Sequence, residues 1–148
     1  MGKKNKKVKY RISDNGNPKI TKQLIDPGCY DALNPSWRFS KLAPLESKWA
    51  IRSGDETIKK DILSKLIHFE TMTWMDIKSS QTHKSHNVNI DKIITPAQKE
   101  LVALNIYEDQ IFSLRLAGKE RIWGILSRGV LEIIWYDPKH EICPSTKK

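Results

Sequence analysis

The chain has 148 residues, 39% of them hydrophobic, and a formal net charge of +9. This length and composition fit one domain with a single core and exclude a collagenous, linker-like or wholly disordered chain. The surplus of Lys and Arg favours a polyanionic partner, with nucleic acid as the leading class. The alternative is a basic protein that has no such partner.

Cysteine usage and the lack of long apolar runs bear on the compartment. Cys29 and Cys143 are too few for a disulfide framework, and free thiols suit a reducing environment. No run approaches the roughly 20 apolar residues that a membrane span needs. We therefore predict a cytoplasmic protein with no membrane partner.

Residues 1–35 are predicted to form a basic, loosely ordered arm, and residues 36–148 a single α+β domain. The arm opens with a lysine cluster and continues through turn signals such as Asp26-Pro27-Gly28. Because no apolar segment follows the lysines, we do not expect them to belong to a secretory signal. Trp37-Arg38-Phe39 is expected to be a short first strand.

Three helices are predicted between residues 55 and 104. The first begins at an N-cap, Asp55, and apolar residues at intervals of three or four indicate its buried face. That face contains Ile58, Ile62, Leu66 and Phe69. The second begins at Thr73 and ends in the polar segment 79–89. The third begins at residues 95–98, which have a capping-box spacing and a Pro at the first helical position. Its apolar face is expected to contain Leu101, Val102 and Leu104.

After Tyr107 the apolar period changes to two, which indicates three strands in an antiparallel meander. Pairing Ala117 with Glu120 and Leu126 with Val130 predicts the two faces of this sheet. The face toward the helices is expected to contain Phe112, Leu114, Leu116, Trp123, Ile125, Leu131, Ile133 and Trp135, with Arg121 at its rim. The other face is expected to be exposed and concave, and to contain Ile111, Ser113, Arg115, Ile122, Gly124, Leu126, Glu132, Ile134 and Tyr136.

The end of the last strand carries a histidine. Pro138 cannot donate to a strand ladder, so the strand is expected to end near Asp137 and to place His140 just past the edge of the sheet. An ordinary turn with a solvated histidine is the alternative interpretation.

These features resemble the RelE/ParE superfamily of bacterial toxins over about residues 55–145. The resemblance rests on helices followed by a three-stranded meander, on Gly118-Lys119-Glu120-Arg121-Ile122 at the start of one strand, and on the segment from Trp135 to His140. It implies helices packed on a small antiparallel sheet. It also implies a ribonuclease that cuts messenger RNA, often on the ribosome, and that an antitoxin holds inactive.

The chain departs from this family in two places. Family members are typically smaller, so the arm of residues 1–50 has no counterpart. Members with ribonuclease activity often end in a tyrosine, whereas this chain has Glu141-Ile142-Cys143-Pro144. The resemblance therefore does not assign the acid and the base, and members that poison gyrase share the fold.

Cleavage of RNA through its own 2′-hydroxyl needs a base, a cation for the phosphorane and an acid for the leaving oxygen. We predict that Arg115 and Arg121 hold the phosphate and that His140 transfers a proton. Glu132 or Tyr136 is expected to complete the catalytic set. The alternatives are structural: an Arg115 pair with Glu132, and an Arg121 pair with Asp137 or stacking of Arg121 on Trp135.

The basic residues at the two ends of the chain are expected to add phosphate contacts without sequence preference, and further cations are expected to bind RNA. They are His83, Lys84, His86, Lys119, Arg128 and Lys139. His83 and His86 have a spacing that metals sometimes use, but no thiols lie nearby, so we predict no metal and no cofactor.

The leading hypothesis is a metal-independent endoribonuclease of RelE-like toxin type, with RNA as its substrate, free or on the ribosome, and an acidic antitoxin as its partner. One alternative is a noncatalytic nucleic-acid-binding or ribosome-associated module. Another is a partner-binding protein that uses the sheet face.

Overall fold

The computed structural model describes residues 30–56, 58–81 and 84–145. The strands are β1 (Ser36–Arg38), β2 (His86–Asn89), β3 (Gln110–Arg115), β4 (Arg121–Ser127) and β5 (Val130–Asp137). The helices are α1 (Leu63–Phe69), which follows a π-helical turn at Ile58–Ile62, α2 (Trp74–Ser79) and α3 (Thr95–Ala103), and a 3₁₀ turn spans Ile90–Lys92. Most of the predicted arm, residues 1–29, lies outside the described residues.

The five strands form one sheet in the order β1-β5-β4-β3-β2. The α+β class and the meander of β3, β4 and β5 are confirmed. The sheet is mixed, and not antiparallel throughout, because β1 pairs with β5 in parallel. Within the described parts of the chain, no helix is long and apolar enough to cross a bilayer.

The π-helical turn and α1 bury three of the four residues that the helical period predicts, and the fourth, Ile58, is partly buried. Ile62, Leu66 and Phe69 are each at most 3% exposed, while the intervening Leu63 and Ile67 face solvent. Thr73 caps α2 through a capping box, in which its hydroxyl accepts from the backbone N–H of Asp76 and the Asp76 carboxylate accepts from the backbone of Thr73.

Helix α3 starts differently from the prediction. Its N-cap is Ile94, which forms no side-chain cap, and Thr95 is already helical. The Gln98 side chain donates to the backbone carbonyl of Ile93 at 2.8 Å, so the expected capping box is absent. Val102 is 57% exposed, and the prediction that it belongs to the buried face was wrong.

The two hairpin turns of the meander have lengths opposite to those predicted. Between β3 and β4 the loop has three residues, 117–119, with Gly118 at a φ of 50°. Between β4 and β5 only Arg128 and Gly129 form the turn, at φ values of 53° and 80°, as in the type I′ turn that suits a tight hairpin. The register therefore differs from the predicted register by one residue at each turn.

This register shift redistributes the side chains between the two faces. The face that packs against α1 and α2 carries Phe112, Leu114, Leu116, Ile122, Leu126, Leu131, Ile133 and Tyr136. The opposite face, which packs against α3, carries Ile111, Trp123, Ile125, Ile134 and Trp135. Trp123 and Ile125 are thus on the face opposite to the prediction, and so are Ile122 and Leu126. A β-bulge opposite the Trp123–Gly124 step moves Trp135 to the α3 side as well.

The predicted exposed, concave face does not exist along most of the sheet. Ile111 and Ile134 from that face are fully buried beneath α3 and the segment that contains Ala43 and Trp49. Both faces are covered because each carries a continuous apolar surface. Charged side chains lie toward the two ends of the α3 face: Glu132, opposite Ile125, at one end and the paired residues Arg115 and Arg121 at the other.

Candidate functional site

A cleft of about 740 Å³ lies at the end of the sheet beside the β3–β4 loop. Its lining consists of Lys84, His86, Arg115, Gly118, Lys119, Arg121, Lys139, His140, Pro144 and Ser145. Seven of these ten residues are Lys, Arg or His, and none is acidic. The lining comes from three separate parts of the chain: the start of β2, the β3–β4 hairpin and the segment after β5. We call it the cationic cleft.

Arg115 and Arg121 form the floor of the cationic cleft. They are directly opposite each other on neighbouring strands, so they share one face, whereas the prediction separated them. Arg115 Nε donates to the Gly118 carbonyl at 3.1 Å, and Arg121 Nη1 donates to the same oxygen at 2.9 Å and to the Glu120 carbonyl at 3.0 Å. These bonds fix both guanidinium groups and leave other N–H groups free to donate to a ligand.

The two arginines lack the ion pairs that were considered as alternatives. In the described ranges of the chain, neither guanidinium is in an ion pair, and Glu132 pairs instead with Arg38 and Lys41. Burial lowers the pKa of Arg121, and repulsion by Arg115 lowers it further, while Asp137 opposes the change. An arginine stays protonated under such conditions, so the pair is a concentrated positive charge.

His140 enters the cationic cleft from a loop that one carboxylate organises. Asp137 is fully buried, and its oxygens accept from the backbone N–H of Glu141 at 2.9 Å and of Ile142 at 3.0 Å. The Trp123 indole donates to the same carboxylate at 3.4 Å. The loop passes through a left-handed conformation at His140, with a φ of 56°. The polar Asp-Pro-Lys-His segment is thus a turn that the Asp137 carboxylate holds in place, and this turn directs the His140 imidazole into the cleft.

The environment of His140 disfavours its charged form. Burial lowers the pKa of His140, and the positive charges of Arg121, Arg115 and His86 lower it as well, against the opposing effect of Asp137. The imidazole is therefore mainly neutral at pH 7 and has a nitrogen lone pair available to accept a proton.

The start of β2 supplies the opposite wall. The buried Ser85 hydroxyl accepts from the backbone N–H of Arg115 at 3.0 Å, which attaches this segment to the end of β3. Lys84 and His86 flank that attachment and both line the cleft. The sequence predicted a polar loop here because Val88 is the one apolar residue of His86–Asn89, and the structure shows a strand in which Val88 alone is buried.

Several predicted site residues lie elsewhere. Glu132 is near β1, where it forms its ion pairs. Tyr136 lies on the α1 and α2 side and donates its hydroxyl to Glu120 at 2.9 Å, and burial together with this bond raises the pKa of its phenol. Arg128 is at the opposite end of β4 from Arg121. His83 lies outside the described residues.

Sequence reasoning missed the role of Asp137, which it considered only as an ion-pair partner of Arg121. Asp137 is the Cα partner of Arg121 in the sheet, but its carboxylate is used to hold the following loop. The Asp-Pro dipeptide was the available signal, since Asp side chains commonly accept from backbone groups a few residues later.

The chemistry of the cationic cleft is that of an anion site. Fixed guanidinium groups, lysines and imidazoles are donors suited to phosphate oxygens. Among the residues that the structure describes, no three His, Cys, Asp or Glu side chains are grouped so that they could hold a metal ion. A comparison of the chain with protein-family models, curated proteins and solved structures finds no match.

Proposed function

We propose that this protein is a cytoplasmic endoribonuclease of RelE-like toxin type, which binds RNA in the cationic cleft and cleaves it without a metal ion. The observation that carries the proposal is the convergence of seven Lys, Arg and His side chains on one cleft with no acidic residue in its lining. A sugar-phosphate chain is the abundant cellular ligand that satisfies such a lining over several contacts.

The geometry supports a division of labour in the reaction. Arg115 and Arg121, anchored on the Gly118 carbonyl, are positioned to donate to the two nonbridging oxygens of the scissile phosphate. Their charge stabilises the phosphorane as negative charge develops on it. His140, as a neutral imidazole, removes the 2′-hydroxyl proton, and the resulting oxyanion attacks phosphorus to give a cyclic phosphate.

The toxin class has support from the arrangement of elements. Helices precede a three-stranded meander, and the basic residues lie on β3, at the start of β4 and after β5, which are the features behind the resemblance to RelE/ParE toxins. An acidic antitoxin that covers the cationic cleft would neutralise its charge and exclude RNA. This inhibitor is part of the proposal.

A growth and cleavage assay tests the proposed function. Induced wild-type protein should arrest a bacterial culture and cut messenger RNA, and Arg121→Ala and His140→Ala should relieve both effects. Arg128→Ala and His68→Ala are the matched controls, because both residues are exposed and lie outside the cleft lining. The controls should stay as active as wild type.

The same assay separates the noncatalytic alternative. The cations of the cleft would also serve a module that only grips phosphates, so binding must be measured beside cleavage. RNA that binds to purified protein with a steep salt dependence but stays intact, both free and on ribosomes, would refute the nuclease and favour the module.

A further inference from the structure

We infer that His86 is a second catalytic residue of the cationic cleft, the general acid that protonates the leaving 5′-oxygen while His140 acts as the base. This inference rests on the proposed function and goes beyond it, since His86 was expected only to contact RNA. It follows from the position of His86, from the hydrogen bond on its ring and from its relation to His140.

The position of His86 is set by the sheet. His86 is the first residue of β2 and is paired with Ser113 of β3. Ser113 is two residues before Arg115, so His86 and Arg115 extend from the same face. The Ser85 bond to the backbone N–H of Arg115 holds the two strands together at this end. His86 therefore lines the cleft from a strand beside the phosphate-binding arginines.

The hydrogen bond of the His86 ring determines its usable nitrogen. His86 Nδ1 is 2.7 Å from the carbonyl oxygen of Lys84. A carbonyl oxygen has no proton to donate, so the hydrogen of this bond must be on Nδ1. Nε2 is then the nitrogen that exchanges a proton. The carbonyl partner remains bonded when Nε2 is protonated, so one orientation of the ring serves both states.

The two imidazoles have complementary surroundings. His140 is partly buried, and Arg115 and Arg121 disfavour its charged form. His86 is exposed, and its Nδ1–H is satisfied by a carbonyl. His140 is therefore suited to accept a proton, and Nε2 of His86 is the ring nitrogen left to donate one. The other charged groups near the pair are Lys84, Lys119 and Lys139 in the cleft lining and Asp137 beneath His140.

The proposed cleavage step needs no cofactor, because every proton removed or added is accounted for by the two histidines. The 2′-hydroxyl transfers its proton to neutral His140, and the 2′-oxygen forms a bond to phosphorus. The bond between phosphorus and the 5′-oxygen breaks, and protonated His86 transfers the Nε2 proton to that oxygen. The products are a 2′,3′-cyclic phosphate and a 5′-hydroxyl, and bulk water restores both rings to their starting protonation states.

A leaving-group substitution tests the role of His86. We would compare two oligoribonucleotides, one with the natural 5′-oxygen and one with a bridging 5′-sulfur at the cleavage site, each presented free and on ribosomes. A thiolate leaves without protonation, so loss of a general acid affects only the oxygen substrate. His86→Asn is the variant of choice, because its amide keeps a donor for the Lys84 carbonyl.

The inference predicts that His86→Asn cuts the oxygen substrate about 100-fold or more slowly than wild type and cuts the sulfur substrate at nearly the wild-type rate. His140→Asn should be slow on both substrates, and His68→Asn should match wild type on both. A His86→Asn protein that is equally slow on both substrates, or equally fast on both, overturns the acid assignment while the nuclease stands. Wild-type protein that cuts neither substrate overturns the proposed function itself.

Discussion

The buried carboxylate of Asp137 supports both the fold and the candidate site, and its removal should measure that role. Asp137→Ala leaves two backbone N–H groups, those of Glu141 and Ile142, without an acceptor. It also removes the weaker acceptor for the Trp123 indole. Each buried donor left unsatisfied costs about 1–3 kcal/mol, so we expect the free energy of unfolding to fall by about 3–5 kcal/mol. This is a large part of the about 5–15 kcal/mol typical of a domain.

Urea unfolding followed by tryptophan fluorescence provides the measurement. Asp91→Ala is the matched control, because Asp91 is exposed, and a surface change of this kind alters stability by only about 0.5 kcal/mol. Asp137→Asn preserves the volume but directs an amide N–H toward a backbone donor, so its stability should lie between wild type and Asp137→Ala. An Asp137→Ala protein within about 1 kcal/mol of wild type would refute the view that this carboxylate holds the loop.

Three further predictions follow from packing, charge and protonation. Gly124→Ala should destabilise the fold or prevent folding, since a Cβ there would collide with the backbone carbonyl of Glu132; Gly54→Ala, where a Cβ meets open space, is its control in the same urea assay. Lys119→Ala should reduce the slope of log binding constant against log salt by about 0.7 for single-stranded RNA, provided that Lys119 contacts one phosphate, and Arg128→Ala should leave the slope unchanged. Because burial and nearby cations lower the pKa of His140 in the folded state, the unfolded chain binds the proton more readily; stability should fall as pH decreases through and below the ordinary histidine range, and less so in His140→Asn.

Most helices and strands could be predicted from the sequence, but the pairing register of the strands could not. Periodicity identified α1, α2 and the three strands of the meander because each buries an apolar surface with a regular repeat. The turn between β4 and β5 was misjudged because a non-glycine residue, Arg128, adopts a positive φ, which composition does not reveal. Strand β2 was read as a loop because it is a polar edge strand held by backbone pairing to β3.

The accuracy of each site prediction depended on whether it used the predicted strand register. His140 depended only on the local rule that Pro138 ends a strand, and it lies in the cleft as expected. Glu132 keeps its predicted face, opposite Ile125, but lies toward the end of β5 away from the cleft. Tyr136 depended on the predicted face. The β-bulge beside Ile134 changes which side chains follow on each face of β5, so Tyr136 extends toward α1 and α2.

The charge arrangement of the cleft is unfavourable to folding and therefore informative about function. Like charges directly across two strands destabilise a sheet, yet Arg115 and Arg121 are paired in this way. Carbonyl oxygens and the carboxylate of Asp137 moderate their repulsion, and three lysines in the lining add to it. A structural role would be served better by an Arg and Glu pair across two strands, as at Arg38 and Glu132. Such an excess of positive charge is expected where an anion completes the site. Under the proposed function, binding of RNA should therefore both fill the cleft and stabilise the fold.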